Sequence, residues 1–226
     1  MATADSSSAA VSVAGTTAVG IDVGGARKGF HAVALRDRTV VDRLATADAA
    51  VLAAWCRDVG AELVAVDAPC RWRGGVEARL AERELLRDGI SCFASPTREQ
   101  ALASTSGFYG WMLRGEALYG ELARHGYALV QSADELRRQR RCFETFPHAI
   151  TVQLHRAFGL EPAVAARKSP ERRALLERLG VDCGALTSID WLDAALCALA
   201  AQLLREGAEP CVYGEAASGL VLVPAR

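Results

Sequence analysis

No CxxC pair occurs among the seven cysteines (Cys56, Cys70, Cys92, Cys142, Cys183, Cys197 and Cys211), which are odd in number and widely spread. That pattern argues against a disulfide framework and a structural zinc site, and the thiols read instead as small buried hydrophobes in a reducing compartment. Long hydrophobic runs are missing as well. One of the longest, Ala194 to Leu204, is interrupted by Gln202 and falls short of the roughly 20 residues that cross a bilayer. No excess of positive charge is present: the formal net charge is −1, so the chain has no global attraction to a phosphate backbone and any basic patch has to act locally. No basic stretch rich in aromatics, of the kind on which single-stranded bases stack, is visible along the sequence. The first 17 residues carry neither a positive region nor an apolar block, so residues 1–17 are expected to be a flexible Ser/Ala-rich tail rather than a secretion signal, with a cytoplasmic location.

What is present fits an α/β unit with no internal repeat and no long linker, and residues 18–226 are expected to fold as one domain. Residues 18–23, Phe30 to Leu35 and Thr39 to Leu44 read as three successive strands, separated by short polar turns. Asp48 to Val59 carries Val51, Leu52, Trp55 and Val59 at helical spacing and ends at Gly60, a helix-stop glycine. Ala61 to Val66 is an apolar run ended by Asp67-Ala68-Pro69, as expected of a buried parallel strand opening into a loop. Helices are expected over Val76 to Asp88, Phe108 to His125, His148 to Phe158 and about Ile189 to Leu204. Short strands are expected at Tyr127 to Val130 and Arg141 to Phe146, a polar stretch at Arg167 to Arg178, and terminal edge strands at Cys211 to Tyr213 and Leu220 to Val223.

Several acids break the apolar pattern. Asp22 lies inside an apolar strand, where an unpaired charge costs several kcal/mol unless a metal, a partner or water compensates it. The competing explanation is a cap on the Gly24-Gly25 turn. Asp67 ends the fourth strand, where open α/β sheets place ligands, although an Asx turn into Pro69 explains it too. On adjacent strands about 5 Å apart, the two carboxylates would share a hard cation. Asp193 sits between Leu192 and Ala194, one turn inside the last long helix, whereas Asp190 reads as part of a capping box with Thr187. Glu144 alternates with Phe143 and Thr145 in a strand and faces either the same cleft or solvent. His148 follows Pro147 and is a candidate to act on a leaving group or water, or a structural donor at a helix start. The run Arg137-Arg138-Gln139-Arg140-Arg141 adjoins Glu144, and Arg71, Arg73 and Arg79 form a looser group. Arg71, Arg140, Arg141 and His148 are therefore candidate substrate contacts, set against a solvated basic face.

Three meandering strands, a helix and a parallel fourth strand make the arrangement of an RNase H-like fold, with a mixed central sheet flanked by helices. Short motifs add to this in their order: Gly20-Ile21-Asp22 with following glycines, Val66-Asp67-Ala68-Pro69, Glu82-Arg83-Glu84 with Arg87, and Phe93 with Pro96. Phe143-Glu144-Thr145-Phe146-Pro147, Asp190, Asp193-Ala194-Ala195-Leu196, and Gly214-Glu215 ahead of Val223-Pro224 follow. Through most of its length after the tail, the chain resembles an uncharacterised family, grouped as a domain of unknown function, of predicted nucleases with this fold. The resemblance implies that Asp22, Asp67 and Asp193 hold Mg²⁺ or Mn²⁺ for phosphodiester hydrolysis of nucleic acid, with Glu144 as an additional catalytic acid. One alternative is a non-enzymatic binding or regulatory module on the same fold. Another is an actin-like nucleotide-binding phosphotransferase using Ile21 to Gly25 as a phosphate loop, for which 226 residues are too few to build the required two domains.

Overall fold

In the computed structural model, which describes residues 15–225, the first strand β1 (Ala18–Val23) lies near the middle of the sheet. Most of the expected N-terminal tail, residues 1–14, lies outside the described residues. Strand β1 pairs antiparallel with β2 (Phe30–Arg36), and β2 pairs antiparallel with β3 (Thr39–Thr46). Asp37 and Arg38, both at positive φ, form the two-residue turn between β2 and β3, the geometry that matches the natural twist of a hairpin.

Helix α1 (Ala49–Asp58) is capped by Asp48, whose side chain accepts from the Ala50 and Val51 N–H groups, and it carries the chain across to β4 (Leu63–Asp67). Strand β4 lies parallel to β1. After α2 (Leu80–Arg87), α3 (Arg98–Ala103) and α4 (Gly110–Arg124), the short β5 (Ala128–Leu129) and β6 (Arg141–Glu144) add in parallel. Helices α5 (Pro147–Ala157), α6 (Lys168–Arg178) and α7 (Ile189–Glu206) precede a closing hairpin of β7 (Pro210–Glu215) and β8 (Gly219–Pro224). The sheet reads β3-β2-β1-β4-β6-β8-β7, with β5 beside β6, so three antiparallel strands are followed by parallel ones in an RNase H-like order.

Three local expectations are corrected. Leu220 to Val223 is no edge strand: β8 lies between β6 and β7, and its unbroken apolar run is buried on both faces. The polar stretch from Arg167 to Arg178 folds as α6, with Leu175 and Leu176 turned into the core. The segment after the Ser95-Pro96 turn forms α3, started by a capping box between Thr97 and Gln100.

Side-chain alternation divides the sheet into two faces. Val19, Ile21, Val64 and Val66 pack with Leu52 and Cys56 of α1 and Leu118 and Leu122 of α4. Ala18, Leu63 and Ala65 pack on the other face with α7, from Leu192 to Leu204. Helix α7 crosses β1, β2 and β4, and Gly20 permits the close approach: a Cβ there would overlap the Ala194 carbonyl oxygen and the Ala198 nitrogen. Among the described residues, no helix is long and apolar enough to cross a membrane.

Candidate metal centre

Asp22 and Asp67 are register partners on the parallel pair β1–β4, so their side chains leave the sheet together on the α7 face. Asp193 comes down onto them from the second turn of α7. One carboxylate oxygen from each of Asp22, Asp67 and Asp193 lies within 4.8 Å of the others. Asp193 is buried and the other two are half-buried at their strand ends. Among the described residues, neither Asp22 nor Asp67 accepts a side-chain hydrogen bond.

Burial and mutual repulsion raise the pKa values of this cluster. The Asp22 carboxyl is pushed up from 3.8 to about 7, first by desolvation and then by Asp193 and Asp190. Asp67 is raised well above its ordinary value, again by desolvation first and then by Asp22 and Asp193. Asp193 rises to about 6 through burial, with Arg172 opposing the rise. The arrangement fits a hard divalent cation: its donors are all carboxylate oxygens, and oxygens on opposite sides of such an ion stand about 4–5 Å apart. One buried guanidinium, Arg172 of α6 paired with Asp193, does not balance three carboxylates.

Other charges surround the cluster. Lys28, in the β1–β2 turn, binds both oxygens of Asp190 at 2.7 and 3.0 Å and ties that turn to α7. Asp190 is therefore not the cap expected of it: Ser188, rather than Thr187, caps α7 by accepting from the Trp191 N–H. His31 is the register partner of Asp22 on β2 and meets Trp191 edge-on, with 4.8 Å between ring centroids. Burial lowers its pKa, and its Nδ1 is buried without a hydrogen-bond partner among the described residues. His148 starts α5 and is half-buried, with its pKa lowered by desolvation and by Arg172. The charges that act on it are those of Arg172 and Glu171.

Glu144 does not join the three aspartates. It pairs in register with Val66 and shares the face of Cys142, opposite to the face of Asp22 and Asp67. Both its oxygens are taken by Arg79, at 2.5 and 2.9 Å, and one also accepts the Cys70 N–H at 2.8 Å. Arg79 donates in addition to Glu82, which accepts the Ser95 N–H. Arg71 is exposed on the loop leaving Asp67 and makes no ion pair among the described residues. Arg140 and Arg141 lie at the other end of the sheet. Arg141 pairs with Leu63, four residues before Asp67, which puts it roughly 13 Å away along the strands.

The residues missed in the sequence were Arg172, Lys28 and His31. Arg172 stands in a run of charged residues with nothing to mark it as buried, Lys28 in an ordinary polar turn. His31 alone left a trace, as the polar break in the apolar strand Phe30 to Leu35.

No curated protein and no solved structure matches the chain. A family model described as "Protein of unknown function (DUF429)" matches residues 20–218, which takes in all three aspartates, and the chain belongs to that family.

Proposed function

We propose that the chain is a metal-dependent nuclease that hydrolyses phosphodiester bonds with Mg²⁺ or Mn²⁺ held by Asp22, Asp67 and Asp193. The observation that carries this is the convergence of three carboxylates with raised pKa values, two of them without a hydrogen bond among the described residues, on β1, β4 and α7 of an RNase H-like sheet. When bound, such ions polarise a phosphoryl oxygen and make a bound water more acidic. The chain supplies the rest. Lys28, Lys168 and Arg172 set positive charge around the carboxylates, where phosphate oxygens would lie. His148, whose pKa is lowered by burial and by Arg172, is the candidate proton acceptor. The seven unpaired thiols support a reducing, cytoplasmic setting.

One observation favours a second reading. Because Arg172 already neutralises Asp193, the fold would also serve as a metal-free binding module. Thermal melts during Mg²⁺ or Mn²⁺ titration separate the two. The nuclease gains stability with metal, loses that gain in Asp22→Asn, and cleaves labelled DNA or RNA only with Asp22 and Asp67 intact. Metal-dependent cleavage that survives Asp67→Asn overturns the proposal, and nucleic-acid binding with no metal response supports the module.

A further inference from the structure

The aromatic side chains look scattered in sequence, but the fold brings several of them together, and one of these, Phe93, lines a cavity with Asp67. Phe93, in the loop after α2, and Phe108, before α4, meet edge-to-face with 5.8 Å between ring centroids, and Tyr109 continues the contact at 5.1 Å. Both phenylalanines face solvent, Phe93 at 70% and Phe108 at 51% exposure. Two large rings left open in this way are unusual where the hydrophobic effect would otherwise cover them.

Their position connects them to the carboxylates. Phe93 lines a narrow cavity together with Asp67, Trp111, Arg79 and Phe146, so one wall runs from the proposed metal ligand to the aromatic pair. At about 70 Å³ the cavity is too small to enclose a base. An aromatic ligand must then lie on the outer faces of the rings. Arg71, exposed and without an ion pair among the described residues, stands on the loop that leaves Asp67, and Arg73 donates its backbone N–H to Pro96 in the loop that carries Phe93 while its guanidinium binds the Val76 carbonyl and Gln100. Open aromatic faces on a loop tied to an arginine-bearing loop, and sharing a cavity wall with the proposed phosphate-cleaving centre, match a strand whose bases are unstacked and whose backbone is charged. A base-paired duplex keeps its bases stacked inside and offers the rings nothing to cover.

We propose that Phe93 and Phe108 form a stacking platform for unpaired bases, so that the substrate is single-stranded nucleic acid whose backbone reaches Asp67. This rests on the nuclease reading above for the role of Asp67, while the platform itself is tested by binding alone.

The test measures fluorescence anisotropy of labelled single-stranded DNA, single-stranded RNA and duplex DNA against full-length Asp67→Asn protein, in which cleavage is blocked. The same measurement is repeated with Phe93→Ala/Phe108→Ala and with Phe93→Trp added to that background. Wild-type rings should favour single strands over duplex, and the DNA and RNA arms identify which sugar is preferred. The double alanine variant should bind single strands about 10- to 100-fold more weakly, as expected for losing one or two stacked bases. Phe93→Trp should keep the affinity. An unchanged melting temperature for Phe93→Ala/Phe108→Ala, made with Asp67 intact, and an unchanged metal response, show that fold and metal centre are preserved. Equal or tighter duplex binding, or an affinity within twofold after both rings are removed, overturns the platform. So does a concentration-dependent dimer that disappears in the double variant while nucleic-acid binding does not change, because the rings would then serve a second copy of the chain. If single strands bind through the rings but no metal stabilises the protein, the nuclease reading fails and the platform stands. If metal stabilises the protein and the rings make no difference, the platform alone fails.

Discussion

Two clusters of buried charge share the Asp67–Pro69 segment as a border, and their charges are met in different ways. On one side Arg79 reaches both Glu82 and Glu144, and the Ser95 and Cys70 N–H groups complete the shell, so each carboxylate oxygen has a donor inside the protein. On the other, Asp22, Asp67 and Asp193 share a single guanidinium, that of Arg172, and burial and repulsion raise their pKa values. The first cluster is complete without a ligand and acts as a staple between α2, β6 and the following loops. The second is complete only with protons or a cation. A buried charge alone therefore does not identify a site; a buried charge whose partners are absent from the fold does.

The contrast can be broken most forcefully at Arg79. Arg79→Met leaves Glu82 and Glu144 buried without their cation and should cost about 3–5 kcal/mol, measured by urea denaturation. Metal should leave that loss uncorrected, because the staple lies outside the metal centre. At the aspartates the order reverses. Wild-type protein with metal at a hundredfold excess over its Kd should gain about 2.7 kcal/mol, seen as a rise in Tm, and Asp22→Asn should lose the gain while folding at least as well as wild type without metal. A smaller effect follows from protons. A carboxyl whose pKa is raised on folding binds its proton more tightly when native, so metal-free stability falls as pH rises from about 4, the ordinary value, toward about 7. Urea midpoints at pH 5 and pH 8 should show a larger drop for wild type than for Asp22→Asn, and equal drops would mean that Asp22 is not strained in this way. The smallest change is expected far from both clusters. Arg141→Ala, at the opposite end of the strands, should alter stability by about 0.5 kcal/mol and leave the metal response untouched.

The three aspartates were legible in the sequence because each interrupts or ends an apolar run, and a charge in such a place needs a reason. The parallel placement of β1 and β4 followed from the order of strands and the intervening helix. Glu144 shows where this ended: its strand alternates cleanly, but which parity faces α7 depends on register with β4, and the pairing of Glu144 with Val66 decided it. Helix α6 left almost no periodic signal, since only Arg172, Leu175 and Leu176 are buried in it and its start has no side-chain cap. Its most consequential residue, Arg172, is one of several charged neighbours, and only the approach of α6 to α7 selects it. The aromatic pair was invisible for a similar reason, because Phe93 and Phe108 come from different loops.

Gly20 gives the metal centre its scale. Two residues before Asp22 the strand carries no side chain, and the backbone of α7 rests directly on it. The gap between Asp193 and the two strand carboxylates is thus fixed by main chain against main chain, which has no rotamers to adjust. A methyl group at this point would lift the helix and spread the oxygens, so the dimension an ion would sense is set by the residue in β1 that has no chemistry of its own.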